Sequence, residues 1–196
     1  LVTPEVDLAG TPLHRTPALG AHHVDAVPLQ HSTVGDALRI YVNVDCQSPE
    51  HNGASWSTAY RSLNEAISYM AGLTRNETAG ASGLEIYVLE NEAIYPHYSY
   101  ASDPKSATIE VPAMQSGLPL LIKGGFPTSN TTDNTTDDNS DPLTYRSVID
   151  GNPDGDDRSE GLYHCIDVLA GANVTFEGFH IINGNAAGEA VRLQGG

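Results

Sequence analysis

The stretch Leu162–Gly184, LYHCIDVLAGANVTFEGFHIING, limits the folds open to this chain more than any other. It reads as two short strands, His164–Leu169 and Val174–Ile182, joined by Ala-Gly-Ala-Asn. Val174, Phe176 and Phe179–Ile182 supply apolar and β-branched bulk. Gly178 interrupts the alternation, and a glycine inside a strand pattern marks a bulge or a close backbone approach. Asn183-Gly184 then ends the run as a turn, since both residue types tolerate positive φ.

Similar segments recur upstream: Ile40-Tyr41-Val42-Asn43, Glu85-Ile86-Tyr87-Val88, Leu120–Phe126 and Val148-Ile149-Asp150-Gly151. Asn52-Gly53-Ala54-Ser55-Trp56 precedes a helical pattern. Together with NVTFEGFHIING, these segments resemble the first coils of secreted right-handed parallel β-helix repeat proteins of the pectate-lyase-like kind. The resemblance spans Arg39–Gly196. It implies an all-β fold: a short right-handed parallel β-helix of three to four coils, with an N-terminal capping helix. It fixes no activity, because one fold carries many functions.

Residues 1–38 lie outside the resemblance. Pro4, Pro12, Pro17 and Pro28 punctuate them, and their apolar residues are thinly spread. Proline removes donors and favours extended backbone, so the segment is expected to be either disordered or an extended arm that leans on another surface. Two units follow: the arm, 1–38, and a β-helix domain with a helical cap, 39–196. His14, His22, His23 and His31 fall in the arm, which offers no convergent metal geometry.

Within the second unit, strands are expected at Arg39–Val44, Leu84–Leu89, Thr108–Val111 and Leu118–Ile122. Ala59, Leu63, Ala66, Ile67 and Met70 fall on one helical face, so a helix from Ser57 to Ala71 is predicted, ended by Gly72. Such a helix would cover an open end of the stacked strands. Trp56 and the tyrosines of the loop Tyr95, Tyr98 and Tyr100 read as packing groups, with sugar stacking as the alternative. Lys123-Gly124-Gly125-Phe126 reads as a glycine-rich turn without the spacing of a phosphate loop. Ser129–Asp141, SNTTDNTTDDNSD, is too polar to build a core and reads as an inserted loop.

The net charge is −16, with nine Lys and Arg against 25 Asp and Glu, so the basic footprint of a nucleic-acid binder is missing. Anionic membranes are disfavoured for the same reason, and no apolar run has the length of a membrane span. Four N-x-S/T sequons begin at Asn76, Asn130, Asn134 and Asn173, which favours a secreted, N-glycosylated protein. Cys46 and Cys165 have no metal-ligand spacing. A disulfide between them would close a long loop, worth roughly 4–5 kcal/mol in the chain-entropy model. That bridge is the expectation, with two buried free thiols as the alternative.

Asp150-Gly151-Asn152-Pro153-Asp154-Gly155 matches the first half of a calcium loop, with oxygen ligands at alternate positions. The second half fails: Gly161 stands at position twelve and Glu160 falls one residue early. Calcium at Asp150, Asn152 and Asp154 is therefore weighed against a solvated acidic turn. Apart from this possible calcium, no cofactor is expected.

No Ser-His-Asp or HExxH arrangement occurs. The resemblance implies that an enzyme of this fold would be a polysaccharide lyase or hydrolase. Such enzymes need carboxylates and basic residues on one face of several coils, and the basic candidates are few: Lys123, Arg146, Arg158 and Arg192. The expectation is a non-enzymatic extracellular structural protein, a homo-oligomer or head-to-tail polymer forming a glycosylated filament or adhesive layer. The alternative is a carbohydrate-binding or polysaccharide-active module within a longer chain.

Overall fold

A computed structural model describes residues 32–34, 37–91, 93–94, 107–133, 138–152 and 161–185. Among these residues nine strands form: β1 (Ser32–Val34), β2 (Ala37–Val42), β3 (Gly83–Leu89), β4 (Ile109–Val111), β5 (Leu120–Phe126), β6 (Ser147–Asp150), β7 (Ile166–Val168), β8 (Val174–Glu177) and β9 (Phe179–Ile182). The helices are α1 (Leu63–Gly72), a short α2 (Asn130–Asp133) and a single 3-10 turn, Trp56–Thr58.

The strands make three sheets, ordered β1-β2-β3-β5-β8, β4-β7 and β6-β9. Every neighbouring pair is parallel except β1-β2, which is antiparallel. The chain visits the sheets in a fixed rotation. From β3 in the first sheet it passes Ile94, which bridges Ile149 of the third sheet, and then enters β4 of the second. It repeats first, third, second through β5, β6 and β7, and then runs through β8 and β9. Parallel neighbours need such crossovers, because no hairpin can join them.

Register stacks like on like. Leu38, Leu84, Leu120 and Val174 form one ladder across the first sheet, and Ile40, Ile86, Ile122 and Phe176 form the next. In-register residues of parallel strands face the same side. These ladders join Ile109, Val111 and Ile149 from the other sheets, Cys165 just before β7, and Leu63, Ala66, Ile67 and Met70 from α1, in one apolar core. Each fully buried aliphatic side chain contributes about 1.5–3 kcal/mol. Helix α1 packs on β2, β3 and β4, and its N-terminus is capped by Ser62, whose hydroxyl accepts a bond from the Glu65 amide.

The opposite face of the first sheet is also covered. Tyr41, Tyr87, Leu89 and Phe126 pack there with Cys46, Trp56 and Ala59 of the β2–α1 connection. Tyr87 stacks on Phe126 at 4.4 Å between ring centres, and Trp56 sits 4.6 Å from Tyr41 and 5.4 Å from Phe126. This explains why the helix starts later than its apolar period suggests. Ala59 turns to the second cluster, so Trp56–Thr58 forms a separate 3-10 turn and α1 begins at Leu63. Trp56 packs, as its reading as a packing residue anticipates.

Two other readings are corrected. Val174–Ile182 is two strands, because Gly178 (φ +73°) turns the chain from the first sheet into the third. Lys123–Phe126, read as a glycine-rich turn, is the second half of β5. Its Gly125 (φ +85°) sits where the β3–β5 register shifts between Tyr87 and Leu89, a bulge inside the strand: a Cβ there would lie 2.8 Å from the Pro142 nitrogen. Ser147 locks this bulge. Its buried hydroxyl accepts from the Gly125 amide at 2.9 Å and donates to the Leu89 carbonyl at 3.0 Å. The end of the region read as an arm also contributes, since Ser32–Val34 pairs with β2.

Candidate functional site

Three places on the molecule have chemistry beyond packing. The first is the end of the stack formed by β7, β8 and β9, each of which pairs on one side only among the described residues. Ile181 lies in register with Ile149, and Val168 with Val111. Ile149 and Val111 are 0% exposed, yet Ile181 and Val168 are both 50% exposed. Core-facing side chains therefore continue into this last layer with nothing described beneath them. Ile166, Val174, Phe176 and Phe179 are half-buried at the same end. Acidic groups rim it: Asp167 and Glu177 are exposed, and Glu177 approaches Lys123 at 3.9 Å while Asp138 holds that lysine at 2.8 Å.

The second place is an open polar cleft of about 670 Å³ lined by Val44, Asp45, Glu90, Asn91, Ala93, Thr128, Thr144 and Arg146. It forms where the chain leaves β2, β3 and β5 and where it enters β6. Glu90 accepts a bond from the Thr128 amide at 2.8 Å, and Thr144 donates to Asp141 at 2.8 Å. Arg146 lies 3.4 Å from His180 Nδ1, while His180 Nε2 lies 3.3 Å from the Pro142 carbonyl. A carbonyl cannot donate, so that contact places the proton on Nε2 and leaves Nδ1 to accept from Arg146. The cleft thus sets two carboxylates and a guanidinium around a space large enough for a small polyol or saccharide. Asp45 and Glu90 are missed by sequence reading; their signal is only the polar break after each apolar strand run.

The third place is the Asp150 corner. Asp150 Oδ1 accepts from the Asn152 amide at 2.9 Å and from the Asn183 side chain at 2.8 Å. Asn152 is buried, and its side-chain oxygen has no partner. Asp154, the third expected calcium ligand, lies outside the described residues. Among the described residues no group of three or more His, Cys, Asp or Glu is placed to hold a metal.

The expected disulfide does not form: Cys46 and Cys165 are both free and buried. They belong to different clusters, Cys46 to the aromatic one outside the first sheet and Cys165 to the main core. Their thiols donate instead to the carbonyls of Ser57 and Ile182, at 3.6 and 3.5 Å. Burial, and then the nearby Asp150 charge, pushes the Cys165 thiol above its ordinary range, which disfavours the nucleophilic thiolate.

Asn76 and Asn173 are exposed. Asn130 is 1% exposed, and its amide makes a reciprocal pair with Asn139 at 3.0 and 2.9 Å, so a glycan there would require that pair to break. Asn134 lies outside the described residues, as do the loop tyrosines Tyr95, Tyr98 and Tyr100, and also Arg158 and Arg192. Among the described residues no helix is long and apolar enough to cross a membrane. Comparison with family profiles, with curated proteins and with solved structures finds no match, so the likeness to parallel β-helix repeats rests on the residues alone.

Proposed function

We propose that the chain is a non-enzymatic extracellular structural module, a closed right-handed parallel β-helix that self-assembles end to end. The observation that supports this most is the bare last layer, where Ile181 is half exposed in register beneath the fully buried Ile149. The fixed rotation through three parallel sheets is what a closed coil requires. The first sheet has its two edges at opposite ends, β1 at one and β8 at the other. A second copy adding its β1 edge to β8 leaves the same surface free again, and a heterologous contact of that kind propagates as a fibre. N-glycans at the exposed Asn76 and Asn173 fit a filament or surface layer outside the cell.

The test is electron microscopy and light scattering on the full chain across a concentration series. Long particles are expected, and Ile181→Asp is expected to abolish them while shifting the unfolding midpoint little. A parent chain that stays monomeric at high concentration overturns the assembly reading. Intact mass from a secreting host, with and without Asn173→Gln, tests glycosylation.

The polar cleft favours a second reading, a carbohydrate-binding or polysaccharide-active module. Asp45, Glu90 and Arg146 would hold the hydroxyls or a carboxylate of a sugar. Calorimetry with neutral and uronate oligosaccharides checks it, with Arg146→Met as the control. No heat with either class removes it.

A further inference from the structure

The sequence contains two Asn-Gly pairs, Asn52-Gly53 and Asn183-Gly184. In such a pair the glycine nitrogen can attack the side-chain carbonyl of the asparagine, because glycine carries no Cβ to block the approach. In a folded chain the attack needs a glycine amide that is not already bonded and an asparagine free to turn; otherwise it waits for local opening.

The two pairs differ on both counts. Gly53 is buried, and its amide donates to the Thr58 carbonyl at 2.8 Å. Asn52 is held as well, since its side-chain oxygen accepts from the Ala54 amide at 3.0 Å. Asp150-Gly151, which could close the same ring, is locked in the same way: Gly151 is buried and its amide donates to the Ile182 carbonyl at 3.0 Å. Asn183 and Gly184, by contrast, are both exposed, just past the last residue of β9. The Gly184 amide donates to no group among the described residues. Asn183 has φ +58°, the one positive value at a non-glycine residue among them, so the chain has left the strand there. Its side-chain amide donates to Asp150 Oδ1 at 2.8 Å.

We infer that Asn183 is a site of spontaneous deamidation, and that its conversion loosens the end of β9 from β6. The Gly184 nitrogen gives up its proton and bonds to Asn183 Cγ, the Cγ–Nδ2 bond breaks, and ammonia leaves behind a cyclic imide. Water then opens the imide at one carbonyl or the other, to aspartate or isoaspartate. Either product carries a carboxylate in place of the amide that donated to Asp150, so a hydrogen bond is replaced by like-charge repulsion. Asp150 is the register partner of Ile182, and the Gly151 amide beside it bonds the Ile182 carbonyl. The new charge therefore acts on the last rung of the β6–β9 pair, next to the half-exposed Ile181. Neither step depends on end-to-end assembly.

The full folded chain is incubated in mildly alkaline buffer, and peptide mapping reads the conversion at each asparagine. Asn183 is expected to convert roughly tenfold faster than Asn52, with the two rates converging in urea. Conversion at Asn183 no faster than at Asn52 in the folded chain overturns the assignment. Hydrogen exchange on Asn183→Asp reads the consequence, with Asn183→Gly as the uncharged control that keeps the positive φ. The Gly151 amide is expected to exchange roughly tenfold faster in the Asp variant than in the Gly variant, while amides between β2 and β3 keep the parent rate. Equal exchange at Gly151 in the two variants overturns the loosening.

Discussion

The β2–β3 region and the β7–β9 region are built from the same kind of strand, yet they stand in opposite situations. Between β2 and β3 every ladder has a neighbour. The inner face meets α1 and the other sheets, and the outer face is sealed by Trp56 and Phe126. In β7–β9 the register is as regular, but Val168 and Ile181 are half open where their partners Val111 and Ile149 are fully buried. Strand sequence and register are therefore shared by both regions, and what differs is cover. Stability is expected to rest on the covered end, and the proposed association on the other.

The largest expected contrast comes from truncating equivalent core positions. Ile86→Ala removes a fully buried rung and is expected to cost about 2–5 kcal/mol, and Trp56→Ala about 3–5 kcal/mol. Ile181→Ala is expected to cost less than about 1 kcal/mol, since its environment is half solvent. Urea unfolding of the three variants checks this; equal costs at Ile86 and Ile181 would erase the distinction.

Ion pairs give a second version of the same contrast. Arg39 and Glu85 side chains are 6% and 19% exposed, so Arg39→Met strands a mostly buried carboxylate and is expected to cost about 3–5 kcal/mol. Lys123 pairs with Asp138 and Glu177, which are about half exposed, and Lys123→Met is expected to cost about 1 kcal/mol or less. Added salt narrows the second effect and leaves the first.

Corners sharpen the comparison further. Gly178→Ala forces a side chain into positive φ with its Cβ 2.9 Å from the Gly124 carbonyl, at a cost of about 1–3 kcal/mol. The loss separates β8 from β9 and is read as a lowered unfolding midpoint with β2–β3 contacts intact by amide spectra.

Alkaline pH then probes the buried tyrosines of the covered half. Burial first, then neighbouring negative charge, raises Tyr60 and Tyr87 to about 12. A group whose folded pKa is raised lends stability that is complete below its unfolded value, near pH 10, and lost as pH rises through the folded value. Unfolding midpoints are thus expected to fall between about pH 10 and 12, together with late phenolate absorbance.

The smallest effect concerns the thiols. Reductant is expected to leave the unfolding midpoint unchanged, and both cysteines are expected to label only as the chain unfolds. A reductant-sensitive midpoint would restore the bridge.

The strands themselves were legible. Ile86–Val88 and Leu120–Ile122 are apolar runs of strand length, and they sit within β3 and β5. Four features were not. Burial on both faces makes Ile40-Tyr41-Val42 a continuous apolar run, which carries no alternation to say which residues meet α1 and which meet Trp56. Gly178 looks the same in sequence whether it bulges a strand or turns a corner between sheets. Ala59 fits the helical period of α1, but the aromatic cluster claims it, so periodicity alone placed the helix start too early. The cleft was illegible for a different reason: Asp45, Glu90 and Arg146 meet only because three turns stack.

The stacking of parallel coils is tested most directly by methyl-labelled NMR on the isoleucines. Contacts running in line from Ile40 to Ile86 to Ile122, with Ile149 next to Ile181, are the predicted result. Antiparallel contacts between Val174–Glu177 and Phe179–Ile182, as in a hairpin of an open sandwich, would contradict it.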